Sequence, residues 1–94
     1  MPIRIVIYGR PGDGAAFSAM GQIRSLVREL RVDASVQIIT DEKQLAAHGI
    51  MDPPTVLVDG LAISTGWVPS RTEVERGIRM RLDQLKTSEQ SEEF

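Results

Sequence analysis

The residue types best suited to chemistry lie in Gly9-Arg10-Pro11-Gly12-Asp13-Gly14, just ahead of an amphipathic stretch. Glycines before a helix can turn backbone N–H groups toward an anion. The spacing fits neither a phosphate loop nor a dinucleotide fingerprint, and no Gly-Lys-Ser/Thr follows. Asp13 would repel a phosphate. A carboxylate there could act as a general base or hold a cation, but no second carboxylate or histidine is close in sequence to complete such a site. The leading reading of Asp13 is a helix N-cap, a role aspartate fills at about 1 kcal/mol over alanine. Arg10 is either a solvated loop residue or the complement of a carboxylate-bearing ligand.

A second stretch, Asp52-Pro53-Pro54-Thr55-Val56-Leu57-Val58-Asp59-Gly60, runs two prolines into a short aliphatic strand that ends on a turn pair. Proline has no N–H and a fixed φ, so it stands at the mouth of a strand and not within it. An X-Pro bond is also the realistic place for a cis peptide. Trp67, the single tryptophan, follows Gly66 in a loop. It is either packed at an edge of the core or a partly exposed anchor for a partner, as tryptophans at binding hot spots are. His48, next to Gly49, suits the C-terminal end of a helix.

Other chemistries are excluded by composition. The 94 residues hold no cysteine and one histidine. Disulfides, thiolate catalysis, thiolate metal sites and multi-histidine metal sites therefore fall away, and neither a metal nor a cofactor is expected. A net charge of −2 argues against nucleic acid as a partner. No segment approaches the roughly 20 apolar residues of a membrane span. The first eight residues do not read as a secretion signal, so the expected location is cytoplasmic.

The elements that must position these residues follow from local patterns. Ile3 to Tyr8 reads as a buried strand, Ala34 to Ile39 as a second, Thr55 to Val58 as a third and Leu61 to Ser64 as a fourth. Asp59-Gly60 joins the last two as a hairpin. A helix spans about Gly14 to Arg31, with Phe17, Met20, Ile23, Val27 and Leu30 as its apolar face. A short helix starts at Asp41 and stops near Gly49. Ser70 and Glu73 form a capping box that opens a last helix with Val74, Ile78, Leu82 and Leu85 on one face. Its arginines, Arg71, Arg76, Arg79 and Arg81, read as a solvated face paired with Glu73, Glu75 and Asp83. Residues 1–86 form one domain, and 87–94 read as a polar, acidic, disordered tail. The order β-α-β-α-β-β-α predicts an α/β fold: a four-stranded mixed sheet with helices on both faces and its first two strands parallel neighbours.

This order resembles the minimal thioredoxin fold. Ile7-Tyr8-Gly9, the loop around Gly12, Gly49-Ile50-Met51, Pro54-Thr55-Val56-Leu57-Val58-Asp59-Gly60 and Gly66-Trp67-Val68-Pro69-Ser70 resemble small prokaryotic thioredoxin-like or glutaredoxin-like proteins. The resemblance spans about residues 3–86. It implies a Cys-x-x-Cys pair at the start of the first helix, and those positions here are Asp13 and Ala16. Without a thiolate the family's thiol–disulfide exchange has no nucleophile. The resemblance also makes Pro54 the cis proline, and it puts Pro53 where the family offers backbone groups to a substrate, with no N–H to offer. The expected role is a redox-inactive binding or adaptor module for a protein partner, with no thiol–disulfide exchange. Its surface would comprise Arg10, Gly12, Asp13, Ala16, Pro53, Pro54, Gly66 and Trp67. Two alternatives stand beside it: a small anionic ligand such as glutathione held by Arg10 and the helix N-terminus, and a non-thiol enzyme using Asp13.

Overall fold

The structure, a computed structural model, describes residues 2–91. Its elements are β1 (Ile3–Tyr8), α1 (Gly14–Leu30), β2 (Ala34–Ile39), α2 (Glu42–Ala47), β3 (Thr55–Val58), β4 (Leu61–Thr65) and α3 (Arg71–Ser91). The strands form one mixed sheet in the order β2-β1-β3-β4. β1 pairs with β2 in parallel and with β3 antiparallel, and β3 pairs antiparallel with β4. This is the minimal thioredoxin-like arrangement that the sequence predicts.

β1 is central, and both of its faces are covered. Ile3, Ile5 and Ile7 join Val56 and Val58 in the larger core, which is closed by α1 and α3 through Ala16, Ile23, Leu26, Val74 and Ile78. Val6 and Tyr8 point the other way, onto Leu45 of α2. Each fully buried Ile or Val contributes roughly 1.5–3 kcal/mol. His48 caps α2, and its ring lies 5.7 Å from that of Tyr8 in a tilted arrangement.

α1 packs the expected stripe against the core, with Met20, Ile23, Val27 and Leu30 on it, except at its start. Ala16, Ala19, Ile23, Leu26 and Val27 are buried, whereas Phe17 is 49% exposed. The cause is a close approach. A Cβ on Gly9 would stand 2.5 Å from the Ala16 Cβ, so only small residues fit where α1 starts against β1. Gly77 plays the same part in α3: a Cβ there would stand 2.9 Å from Ile63 of β4. Ile63 is the extra residue of a bulge, since Val56 pairs with Ser64 but Leu57 with Ala62.

Two of the α3 arginines reach off the helix instead of pairing along it. Arg71 bonds Glu29 of α1, and Arg81 Nε donates to Asp59 Oδ2 at 2.7 Å. Arg79 pairs with Glu75 one turn away, as the sequence suggests. Asp59 sits in the β3–β4 turn with φ of 47°, followed by Gly60 at 84°, the paired left-handed residues of a tight hairpin. Its Oδ1 also accepts the Arg4 backbone N–H at 2.7 Å. One carboxylate thus ties β1, the hairpin turn and α3.

The last helix runs past residue 86, where the sequence reading ends the domain. α3 continues to Ser91, because nothing after Gly77 breaks a helix, and Thr87 Oγ1 donates to the Asp83 carbonyl at 3.0 Å. The rest of the expected tail, residues 92–94, lies outside the described residues.

Burial raises the Asp59 pKa, but the Arg81 bond, the Arg4 N–H and the Arg81 charge together outweigh it and hold the carboxyl below 3.8. A depressed carboxyl stabilises the fold above its unfolded value, and that contribution is lost as pH falls through the folded one. Asp59→Asn keeps a residue that tolerates the left-handed turn but removes the charge. It is expected to lower stability at neutral pH by about 1–2 kcal/mol, with the difference shrinking as pH drops below 3.8; urea titrations across that range check it. Ser64 Oγ is buried with no hydrogen-bond partner among the described residues. Ser64→Ala is therefore expected to stabilise by about 1 kcal/mol, read from the urea midpoint.

Candidate functional site

Strand register gathers three loops at one end of the sheet. Tyr8 at the end of β1 pairs with Thr55 at the start of β3, and Thr55 pairs with Thr65 at the end of β4. The segments 9–13, 51–54 and 66–68 therefore leave the sheet side by side. Gly66 N donates to the Pro54 carbonyl at 2.9 Å, and Thr55 Oγ1 donates to the Asp52 carbonyl at 3.1 Å. These bonds hold the proline segment, in which the Pro53–Pro54 peptide is cis.

Asp13 is the N-cap of α1, and its Oδ1 accepts the Ala15 N–H at 2.9 Å. Ala16 is fully buried against Gly9. Gly12 turns the loop at φ 79°, and the Asp13 N–H bonds the Arg10 carbonyl at 3.0 Å. The Arg10 side chain lines a cleft of about 200 Å³ with Glu42, Met51 and Pro53 on the α2 side. Asp13, Ala16, Pro54 and Gly66 therefore belong to one sheet end, while Arg10 turns toward α2. Among the described residues no group of three or more His, Asp or Glu side chains is placed to hold a metal ion.

Large apolar side chains on or beside these segments are exposed. Phe17 is 49% exposed, Met51 91%, Trp67 51% and Val68 37%. The Trp67 ring has a hydrogen-bond partner on α3. Its Nε1–H donates to Glu73 Oε2 at 3.3 Å, while Glu73 Oε1 accepts the Ser70 N–H and Ser70 Oγ accepts the Glu73 N–H, both at 3.2 Å. The capping box of α3 is thus also the mooring of the tryptophan. The sequence shows the box, but not that its second carboxylate oxygen has a further donor to serve. Met51 is also missed by sequence reasoning, and its signal is modest: a large apolar residue between Gly49-Ile50 and the prolines.

The Ser70 N–H first, and the Trp67 indole second, hold the Glu73 carboxyl below its ordinary 4.5. Protonation removes the acceptor, so the mooring is intact above that value and is lost as pH falls through the lower folded one. Trp67 fluorescence anisotropy is expected to drop and its emission to move to the red over that interval. Glu73→Ala is expected to show the loosened signal already at neutral pH and to lose the titration. A pH-independent parent signal would contradict the mooring.

No curated protein matches this chain. The sequence model of a family described as a thioredoxin domain matches residues 18–79. That span runs from the second turn of α1 into the middle of α3 and covers most of the chain, although it begins after Asp13 and Ala16. The match agrees with the strand order and loop convergence, and the chain belongs to the thioredoxin-domain family, as a member without cysteine.

Proposed function

We propose that this protein binds a protein partner through the sheet end formed by residues 9–17, 51–54 and 66–68, and carries out no disulfide exchange. One observation carries the reading: a half-exposed tryptophan, hydrogen-bonded to Glu73, stands in the loop that bonds the proline segment, and Phe17, Met51 and Val68 on the converging segments are also exposed, in a chain with no cysteine. Exposed apolar side chains grouped in this way mark interaction surfaces. A ring already held in place loses less freedom on binding, and tryptophan is the residue most often found at the energetic centre of an interface. Recognition in this reading rests on side chains, because Pro53 has no N–H to pair with a partner's backbone.

The anionic-ligand alternative has less support. The Asp13 carboxylate already occupies the Ala15 N–H, and Arg10 lines the cleft beside α2. The same cap commits the carboxylate that a non-thiol enzyme would need.

The test is amide shift mapping of the labelled protein against fractionated cell extract. Shifts are expected among residues 9–17, 51–54 and 66–68, with a blue shift of Trp67 emission. Trp67→Ala, at an exposed position that leaves the fold in place, is expected to weaken the interaction at least tenfold, the ordinary cost of a hot-spot truncation of about 1.4 kcal/mol or more. Shifts confined to the opposite end of the sheet would remove the proposal.

A further inference from the structure

The outer edge of β2 carries a second surface, away from the sheet end described above. The backbone bonds at the two ends of β2 fix which groups face β1. Ile3 N donates to the Asp33 carbonyl, and Gly9 N donates to the Ile39 carbonyl. Carbonyls alternate along a strand, so Ala34, Val36 and Ile38 turn their N–H and C=O groups outward, to an edge that no strand covers. The other edge, β4, is broken by the bulge at Ile63, a common way of blunting an edge. β2 has no bulge, and its pairing with β1 is regular throughout.

Along this open edge stand three exposed arginines: Arg24 and Arg28 of α1, and Arg31 at its C-cap. They border a groove of about 640 Å³ whose other wall includes Ala34 and Val36. Arg24 Nη2 reaches the outward Val36 carbonyl at 3.5 Å. Among the described residues none of the three takes part in an ion pair. Glu29, the carboxylate between them in sequence, is bound to Arg71 of α3. The result is a run of unneutralised positive charge in a chain whose net charge is −2.

The spacing matches an extended chain. Arg24 and Arg28 are about 6 Å apart along the helix axis at 1.5 Å per residue. Side chains on one face of a strand recur about every 6.6–6.8 Å. A strand added to β2 with carboxylates at alternate positions would set them opposite successive guanidiniums while its backbone satisfied Ala34, Val36 and Ile38. We propose that the β2 edge with Arg24, Arg28 and Arg31 binds an extended acidic segment of a partner protein as a fifth strand. This surface is independent of the one that carries Trp67.

The test uses a labelled peptide with the alternating core Thr-Glu-Val-Glu-Val-Glu-Thr and its glutamine counterpart. Anisotropy at low salt is expected to show binding of the glutamate peptide, at least tenfold weaker binding of the glutamine one, and at least tenfold weaker binding to Arg24→Gln/Arg28→Gln. Hydrogen exchange at the Ala34, Val36 and Ile38 amides is expected to slow when the peptide is added. Equal binding of the two peptides, or binding without that protection, overturns the proposal. So does an RNA oligonucleotide that binds more tightly than the peptide and displaces it, which would assign the arginines to phosphates. A concentration-dependent dimer of the parent that is abolished by deleting residues 88–94 would assign the edge to the chain's own acidic segment and likewise overturn it. Circular dichroism of the arginine variant confirms the fold, and Arg24→Lys/Arg28→Lys, which keeps the charge, is expected to retain most of the binding.

Discussion

The approach of α1 to the end of β1 sets the geometry of everything around the loop end. Gly9 and Ala16 meet so closely that neither position has room for a larger side chain. With that contact made, the four residues between Gly9 and Gly14 must turn sharply, and Asp13 lands where its carboxylate reaches the Ala15 N–H. The contact also fixes the rotation of α1 about its axis. Alanines go inward at 16 and 19, and Phe17 is carried to the surface beside the loops. A packing demand at one glycine thereby decides both the cap of the helix and the exposed phenylalanine of the candidate site.

Features governed by neighbouring residues were legible in the sequence. The strands β1, β2 and β3, the Asp41 and Ser70 helix starts and the Asp59-Gly60 turn depend on local periodicity and on short-range hydrogen bonds, and they occur where those patterns put them. What the sequence could not show depends on distance in space. Apolar periodicity favoured Phe17 as a core residue because size counts in such a pattern, whereas the contact with Gly9 selects for smallness. Charge pattern alone paired the α3 arginines along their own helix, whereas Arg71 and Arg81 find Glu29 and Asp59 on other elements. The polar run just after residue 86 has no apolar face, and its helix needs only the absence of a breaker and a preceding turn to extend.

At the site, the frame was more legible than its use. Asp13 and Ala16 open α1, ahead of the span that the family model matches, and neither carries a thiol. A helix N-terminus favours negative charge, and a carboxylate satisfies it as a thiolate would, but as a permanent cap and not as a nucleophile. Ala16, buried against Gly9, has become pure packing. Both positions serve the architecture of the helix start, one as cap and one as packing.

Gly77 gives α3 a fixed height. A glycine inside a helix costs about 0.5–1 kcal/mol relative to alanine, and here it leaves a notch that receives the bulged Ile63 of β4. A helix resting on a smooth sheet could shift lengthwise with little penalty; one seated on a knob cannot. Glu73 lies one helical turn from that knob, so the distance from the bulge to the carboxylate that moors Trp67 is set like a ruler mark. The irregularity in β4 thus works as a gauge, carrying a position from the middle of the sheet to the ring at its rim.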